Sequence, residues 1–180
     1  MTSNAFPAFD RGPYSCFQHK ELWTLFDYWR AARGARALPS RHDIDPLDLG
    51  PILSGIWLCD YEAEHGTIRY RLAGEAVSIA TGLTSVRGKL LSELVRPDEF
   101  DRVNAIMLRI LTEPAIFHTD GFVYRSVGRY TRAERLALPL SSDGDKADGM
   151  VGITVIYEGP GAVDADLTEQ VRSTYLPVPD

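Results

Sequence analysis

Apolar and polar positions follow two different periods along this chain, and the changes of period mark its elements. Between His19 and Arg33 the apolar Leu22, Trp23, Phe26, Tyr28 and Trp29 fall largely at helical spacing. Gly34 follows as a stop, which predicts an amphipathic helix rich in aromatics. Gly55–Glu62 reads as a strand, Ala63–Gly66 as a tight turn and Thr67–Ala73 as the returning strand. In the return, Ile68, Tyr70 and Leu72 share one face while Arg69 and Arg71 share the other; the first strand is apolar on both. A strand apolar on both faces is normally covered on both, and the aromatic helix is the obvious second cover. The same stripe also suits a partner protein, so Leu22, Trp23, Phe26 and Trp29 are candidate interaction residues.

Further along, Gly74–Gly82 predicts a short helix bounded by glycines and Lys89–Val95 a further helical turn. Pro97–Thr112 then predicts one strong helix. Pro97 suits its start, Asp98 and Glu99 suit the positive end of its dipole, and Phe100, Val103, Ile106, Met107 and Ile110 form its buried stripe. Three strands follow, Ala115–Ser126, Arg129–Leu140 and Met150–Glu158. Ser126-Val127-Gly128 joins the first two, and the polar loop Ser141–Gly149 joins the last two. Met1–Tyr14 reads as a loose arm, and Gly159–Asp180 as a tail with one weak helical stretch around Leu167–Arg172. This order predicts an α+β architecture: a five-stranded antiparallel sheet with short helices and one longer helix on one face, plus the N-terminal amphipathic helix.

Composition narrows the function classes. The 180 residues are 44% hydrophobic and 24% charged, an ordinary globular balance. A net charge of −6 argues against general affinity for nucleic acid or anionic membranes. No apolar run approaches the ~20 residues of a membrane span. Residues 1–16 lack the basic start and apolar run of a signal peptide, and Cys16 and Cys59 are far apart, so we expect a cytoplasmic protein with reduced thiols. His42-Asp43 and the acids of Ser141–Gly149 lack the further ligands that a metal site needs, and read as loop caps and a hairpin loop. With no phosphate loop, nucleophile elbow or paired metal motif, the sequence predicts no catalytic residue and no metal site.

The stretch Arg71–Arg109 resembles the middle of a PAS domain. It has a short helix, then Gly88, Lys89, Leu91, Glu93 and Leu94 in a turn, then Pro97-Asp98-Glu99 opening the long helix. Phe122-Val123-Tyr124, Arg135–Leu140 and Gly152-Ile153-Thr154 resemble the strands that follow. The chain is similar to a bacterial group in which the PAS domain makes up nearly the whole protein. The resemblance implies a flexible arm over 1–18, an N-terminal helical cap over 19–52, a PAS-like domain over 53–158 and a tail over 159–180. It also implies a sensory or regulatory protein that acts by binding a small ligand, a partner protein or a second copy of itself.

A PAS cavity lies between sheet and helices, and the resemblance makes Tyr70, Val77, Leu90, Phe100, Val103, Met107, His118, Arg135, Ala137 and Ile153 its candidate lining. Bulky side chains could equally fill it, leaving a plain interaction module. Arg135 lies between Ala133 and Ala137, whose small side chains leave room for a guanidinium to pair with a ligand carboxylate or phosphate. If Leu136 and Leu138 take the cavity side instead, Arg135 points outward; the pattern leaves the phase open. The cofactor is unknown: no cysteine lies between Gly74 and Thr112 for flavin photochemistry, and no histidine lies on Pro97–Thr112 for haem. The alternative is a small cone-fold enzyme of the nuclear-transport-factor type, with His118 and Asp120 on one strand face as a general-base pair.

Overall fold

The computed structural model describes residues 11–126, 129–162 and 171–179. Its principal elements are α1 (Lys20–Arg33), β1 (Ile56–Glu62), β2 (Thr67–Ala73), α2 (Glu75–Thr81), α3 (Pro97–Thr112), β3 (Ala115–Ser126), β4 (Arg129–Leu140), β5 (Gly149–Ala162) and β6 (Arg172–Pro177). The strands form one antiparallel sheet in the order β2-β1-β5-β4-β3-β6.

Two apolar clusters sandwich this sheet, and strand alternation sorts residues between them. Trp57, Cys59, Ala137 and Met150 face inward, toward α2 and α3. Ile56, Leu58, Leu136, Leu138, Val151 and Ile153 face outward, toward α1. The helix takes the second cover that the doubly apolar β1 requires. Its stripe extends into a chain of rings, with Tyr14 and Phe26 4.8 Å apart and Phe17 and Trp23 4.9 Å apart. Trp29 Nε1 donates to the Pro139 carbonyl of β4 at 2.9 Å. That carbonyl lies beyond the β3–β4 pairing, which ends at Phe117 and Ala137.

Three expectations change. The sheet has a sixth strand: Arg172–Pro177, expected in a tail, pairs with β3, its Tyr175 ring lying 5.1 Å from Phe117. The pairing explains how a polar segment becomes a strand, since β3 supplies the hydrogen bonds that its own composition does not call for. Residues 11–18 are not a flexible arm, because Tyr14 and Phe17 are buried and the Tyr14 hydroxyl donates to Pro177 O at 2.7 Å. Leu22, Phe26 and Trp29 are fully buried in the cluster between α1 and the sheet and offer no open interaction face, whereas Trp23 is only half-buried, against Phe17 and Phe26. Residues 1–10, the Val127-Gly128 connection and most of the Leu167–Arg172 stretch lie outside the described residues.

Loop acids do local work. Asp43 closes a capping box with Ser40, and Asp143 accepts from the Asp145 and Lys146 amides in the β4–β5 loop. No described helix is long and apolar enough to cross a membrane.

Gly152 leaves the inner layer no room for a side chain. A Cβ there would lie 2.1 Å from Trp57 Cζ2, and the indole is held by an Nε1–H bond to Thr154 Oγ1 at 3.2 Å. Gly152→Ala must displace the ring, so we expect a loss of about 1–3 kcal/mol in urea denaturation. Wild-type stability in that variant would show that the ring is not pinned.

Candidate functional site

Strand β4 divides the molecule, and adjacent residues on it serve opposite faces. Glu134 points outward and is fully buried. Its Oε1 accepts from the Gln18 amide at 2.8 Å and from His118 Nε2 at 2.8 Å. Its Oε2 accepts from the His19 amide at 2.9 Å and from His19 Nδ1 at 2.6 Å. Four donors thus converge on one carboxylate. His19 is the N-cap of α1 and makes no side-chain cap of its own. The acid that meets the His19 N-cap amide, the Gln18 amide before it and the positive dipole end comes instead from a strand more than a hundred residues away in sequence. Desolvation pushes the Glu134 carboxyl up, but the bonds from His118, Gln18 and His19 outweigh it and hold it from 4.5 down to about 2.

Around this clamp the outer face is polar. The Tyr157 hydroxyl donates to Asp120 at 2.8 Å, and its ring stacks on His19. Burial, then the Asp120 bond, pushes that phenol up to about 12. An open groove of about 490 Å³ lies beside it, lined in part by Cys16, Gln18, His118, Asp120 and Arg172.

On the inner face, Arg135 reaches a partly open cavity of about 50 Å³ beneath α2 and α3. Its Nε donates to Thr154 Oγ1 at 3.2 Å, and its guanidinium carbon lies 5.5 Å from the Trp57 ring centroid. Nearby, burial drives the Cys59 thiol well above its ordinary value, against the opposing pull of the Arg135 charge.

The structure gathers Tyr70, Val77, Val103, Met107 and Arg135 around the cavity, with Ala137 in the same inner cluster. The phase left open on β4 is therefore Arg135 inward and Leu136 and Leu138 outward. Phe100 packs at the margin of that cluster rather than on the cavity wall. Leu91 takes the place expected of Leu90, because the turn Leu91–Glu93 directs the second leucine inward. His118 and Ile153 are not cavity residues: strand alternation puts both on the outer face, Ile153 in the α1 cluster and His118 on Glu134. The expected His118–Asp120 base pair does not form either, since His118 binds Glu134 and Asp120 binds Tyr157.

Sequence reasoning missed Glu134 as a functional centre, and missed Trp57, Thr81, Val86, Leu94, Val95 and Thr154. A signal for Glu134 was present: an acid in phase with Leu136 and Leu138 on a strand face that another layer must cover.

A protein-family model described as a PAS domain matches residues 17–155. Among solved structures, the PAS domain of Bordetella pertussis BvgS is similar at 17% identity, with a TM-score of 0.46; the match covers 76% of this chain and 88% of that one. No curated protein matches.

The clamp has a measurable pH signature. A carboxyl held at about 2 when folded and 4.5 when unfolded stabilises the fold fully above pH 4.5 and loses that contribution as pH falls toward 2. By linkage it is on the order of 3 kcal/mol. Glu134→Gln presents an amide to four donors, so we expect it to lose stability on that order at pH 7 and to titrate less below pH 4.5 in urea melts. Superimposable pH profiles for the two proteins would contradict the clamp.

Proposed function

Because the chain belongs to the PAS domain family, we propose that it is a sensory and regulatory domain whose activity is binding rather than catalysis. In this reading a small molecule occupies the inner cavity, and the response leaves through α1 toward a signalling partner or a second copy of the chain. The cytoplasm is its place in this reading, in keeping with two free cysteines and no membrane-crossing helix among the described residues.

One observation carries the proposal: Glu134 and Arg135 are neighbours on β4. Arg135 lines the cavity and Glu134 holds the N-terminus of α1. A β-strand is stiff along its length, so a displacement that the cavity imposes on residue 135 is felt at residue 134. Four hydrogen bonds at one carboxylate are sensitive to sub-ångström shifts, because each weakens steeply with geometry. Occupancy then changes the balance between docked and loosened α1, a population shift of an element already in place. Loosening would uncover Leu22, Phe26 and Trp29, which are closed to partners while α1 is docked.

Val103→Phe tests the coupling without any ligand, since the added ring has about the volume that the cavity offers. We expect amide hydrogen exchange across α1 to change by about threefold or more, beyond any change in β1 and β2. A folded variant with unaltered α1 exchange would defeat the coupling.

A further inference from the structure

The groove on the outer face holds two opposed charges that the Glu134 clamp does not use. Its floor is formed by β3 and β6, whose register puts Asp120 directly opposite Arg172, and its wall by the segment before α1. Partners across a ladder point to the same face, so both side chains stand in the groove. They are the only acid and the only arginine or lysine in its described lining. Asp120 is held from elsewhere: Oδ1 accepts from the Tyr157 hydroxyl at 2.8 Å and Oδ2 from Gln18 Nε2 at 3.4 Å. A carboxylate accepts about four hydrogen bonds, so acceptor capacity remains. The Arg172 side chain is exposed and, among the described residues, has neither a hydrogen bond nor an ion pair.

We propose that this groove binds a free α-amino acid with an apolar side chain. Its carboxylate lies on the Arg172 guanidinium, its ammonium on Asp120, and its side chain runs along β6 toward the buried Leu176. The site is separate from the inner cavity and goes beyond the sensory reading without resting on it. The charges select a zwitterion. An anion alone on Arg172 would be repelled by Asp120, and a cation alone on Asp120 by Arg172, whereas a molecule of both signs meets both. The spacing selects the α-amino acid. Directly opposed residues have Cβ atoms about 4.5–5.5 Å apart, so the ligand's two charges must lie close together, as they do when ammonium and carboxylate share one carbon. A peptide end carries only one of them. The planar fork of arginine takes the carboxylate in two parallel bonds. At about 490 Å³ the groove falls in the range of roughly 300–1,000 Å³ typical of small-molecule sites. Pro13 and Leu176 give it apolar surface for the side chain.

The test uses the full chain and three probes of one shape: L-phenylalanine, 3-phenylpropionate, which lacks the ammonium, and 2-phenylethylamine, which lacks the carboxylate. Calorimetry and thermal shift read the binding. We expect phenylalanine to bind and raise Tm, and each singly charged analogue to bind about tenfold or more weakly. Arg172→Gln should bind phenylalanine no better than 2-phenylethylamine, and Asp120→Asn no better than 3-phenylpropionate. Arg172 is exposed, so its variant tests the site even if Asp120→Asn does not fold. Binding of either analogue as tight as phenylalanine would overturn the zwitterion assignment. Phenylalanine binding unchanged in Arg172→Gln would overturn the placement in this groove, and no binding of any probe would overturn the proposal outright. None of these results touches the inner cavity, which the α1 exchange of Val103→Phe decides separately.

Discussion

The outer half of this protein depends on one buried carboxylate. Moving an ionised acid out of water costs several kcal/mol unless its lone pairs are met. Glu134 is tolerable there only because Gln18, His19 and His118 supply a donor for each. The dependence runs both ways. Without the acid, the His19 N-cap amide and the Gln18 amide before it lose their acceptor; without α1, the acid is stranded on an apolar face. Helix and sheet are therefore stable as a pair, by a polar constraint laid over the hydrophobic contact of Phe26 and Trp29. The hydrophobic contact supplies adhesion and the carboxylate supplies register.

The inner half is organised on the same strand by a cation. Arg135 in a layer of aliphatic side chains is the counterpart of Glu134 in a layer of aromatics, one residue apart and on opposite sides. Opposite charges on neighbouring residues of a central strand give β4 a polarity across the sheet, while Leu136, Ala137 and Leu138 continue it as ordinary core. A strand built this way couples the two layers with little need for intermediaries, because the shortest route through the sheet is one peptide unit.

Much of the fold was legible because its periods are clean. The stripe of Pro97–Thr112 and the alternation Ile68, Tyr70, Leu72 each specify a face, and the doubly apolar first strand demanded a second cover that the aromatic helix fills. The sixth strand was not legible. Arg172–Pro177 is polar and ends in proline, and it becomes a strand only because β3 offers an edge to pair with. At the site, half of the expected lining converges on the cavity. His118 and Ile153 fail for one reason: strand phase cannot be fixed from a strand apolar on both sides, and a shift of one residue exchanges the faces. Arg135, with alanines two residues to either side, fell in the right phase. Glu134 escaped notice because an acid on a strand ordinarily means solvent, and its four partners come from distant parts of the chain.

The distance between α1 and its anchor also bears on how the chain folds. Gln18 and His19 are separated from Glu134 by 116 and 115 positions. A helix is local and forms quickly, but contacts this long in sequence form late, after the loop between them has been closed. During synthesis α1 emerges long before β4, with Leu22, Phe26 and Trp29 turned to water and nothing of the chain's own to cover them. The nascent protein therefore passes through an interval in which its most aromatic surface is unprotected. That interval ends when the hairpins of the sheet close and the carboxylate meets its donors. Docking of the cap must wait for β4, and until then these side chains are exposed to misassociation between nascent copies.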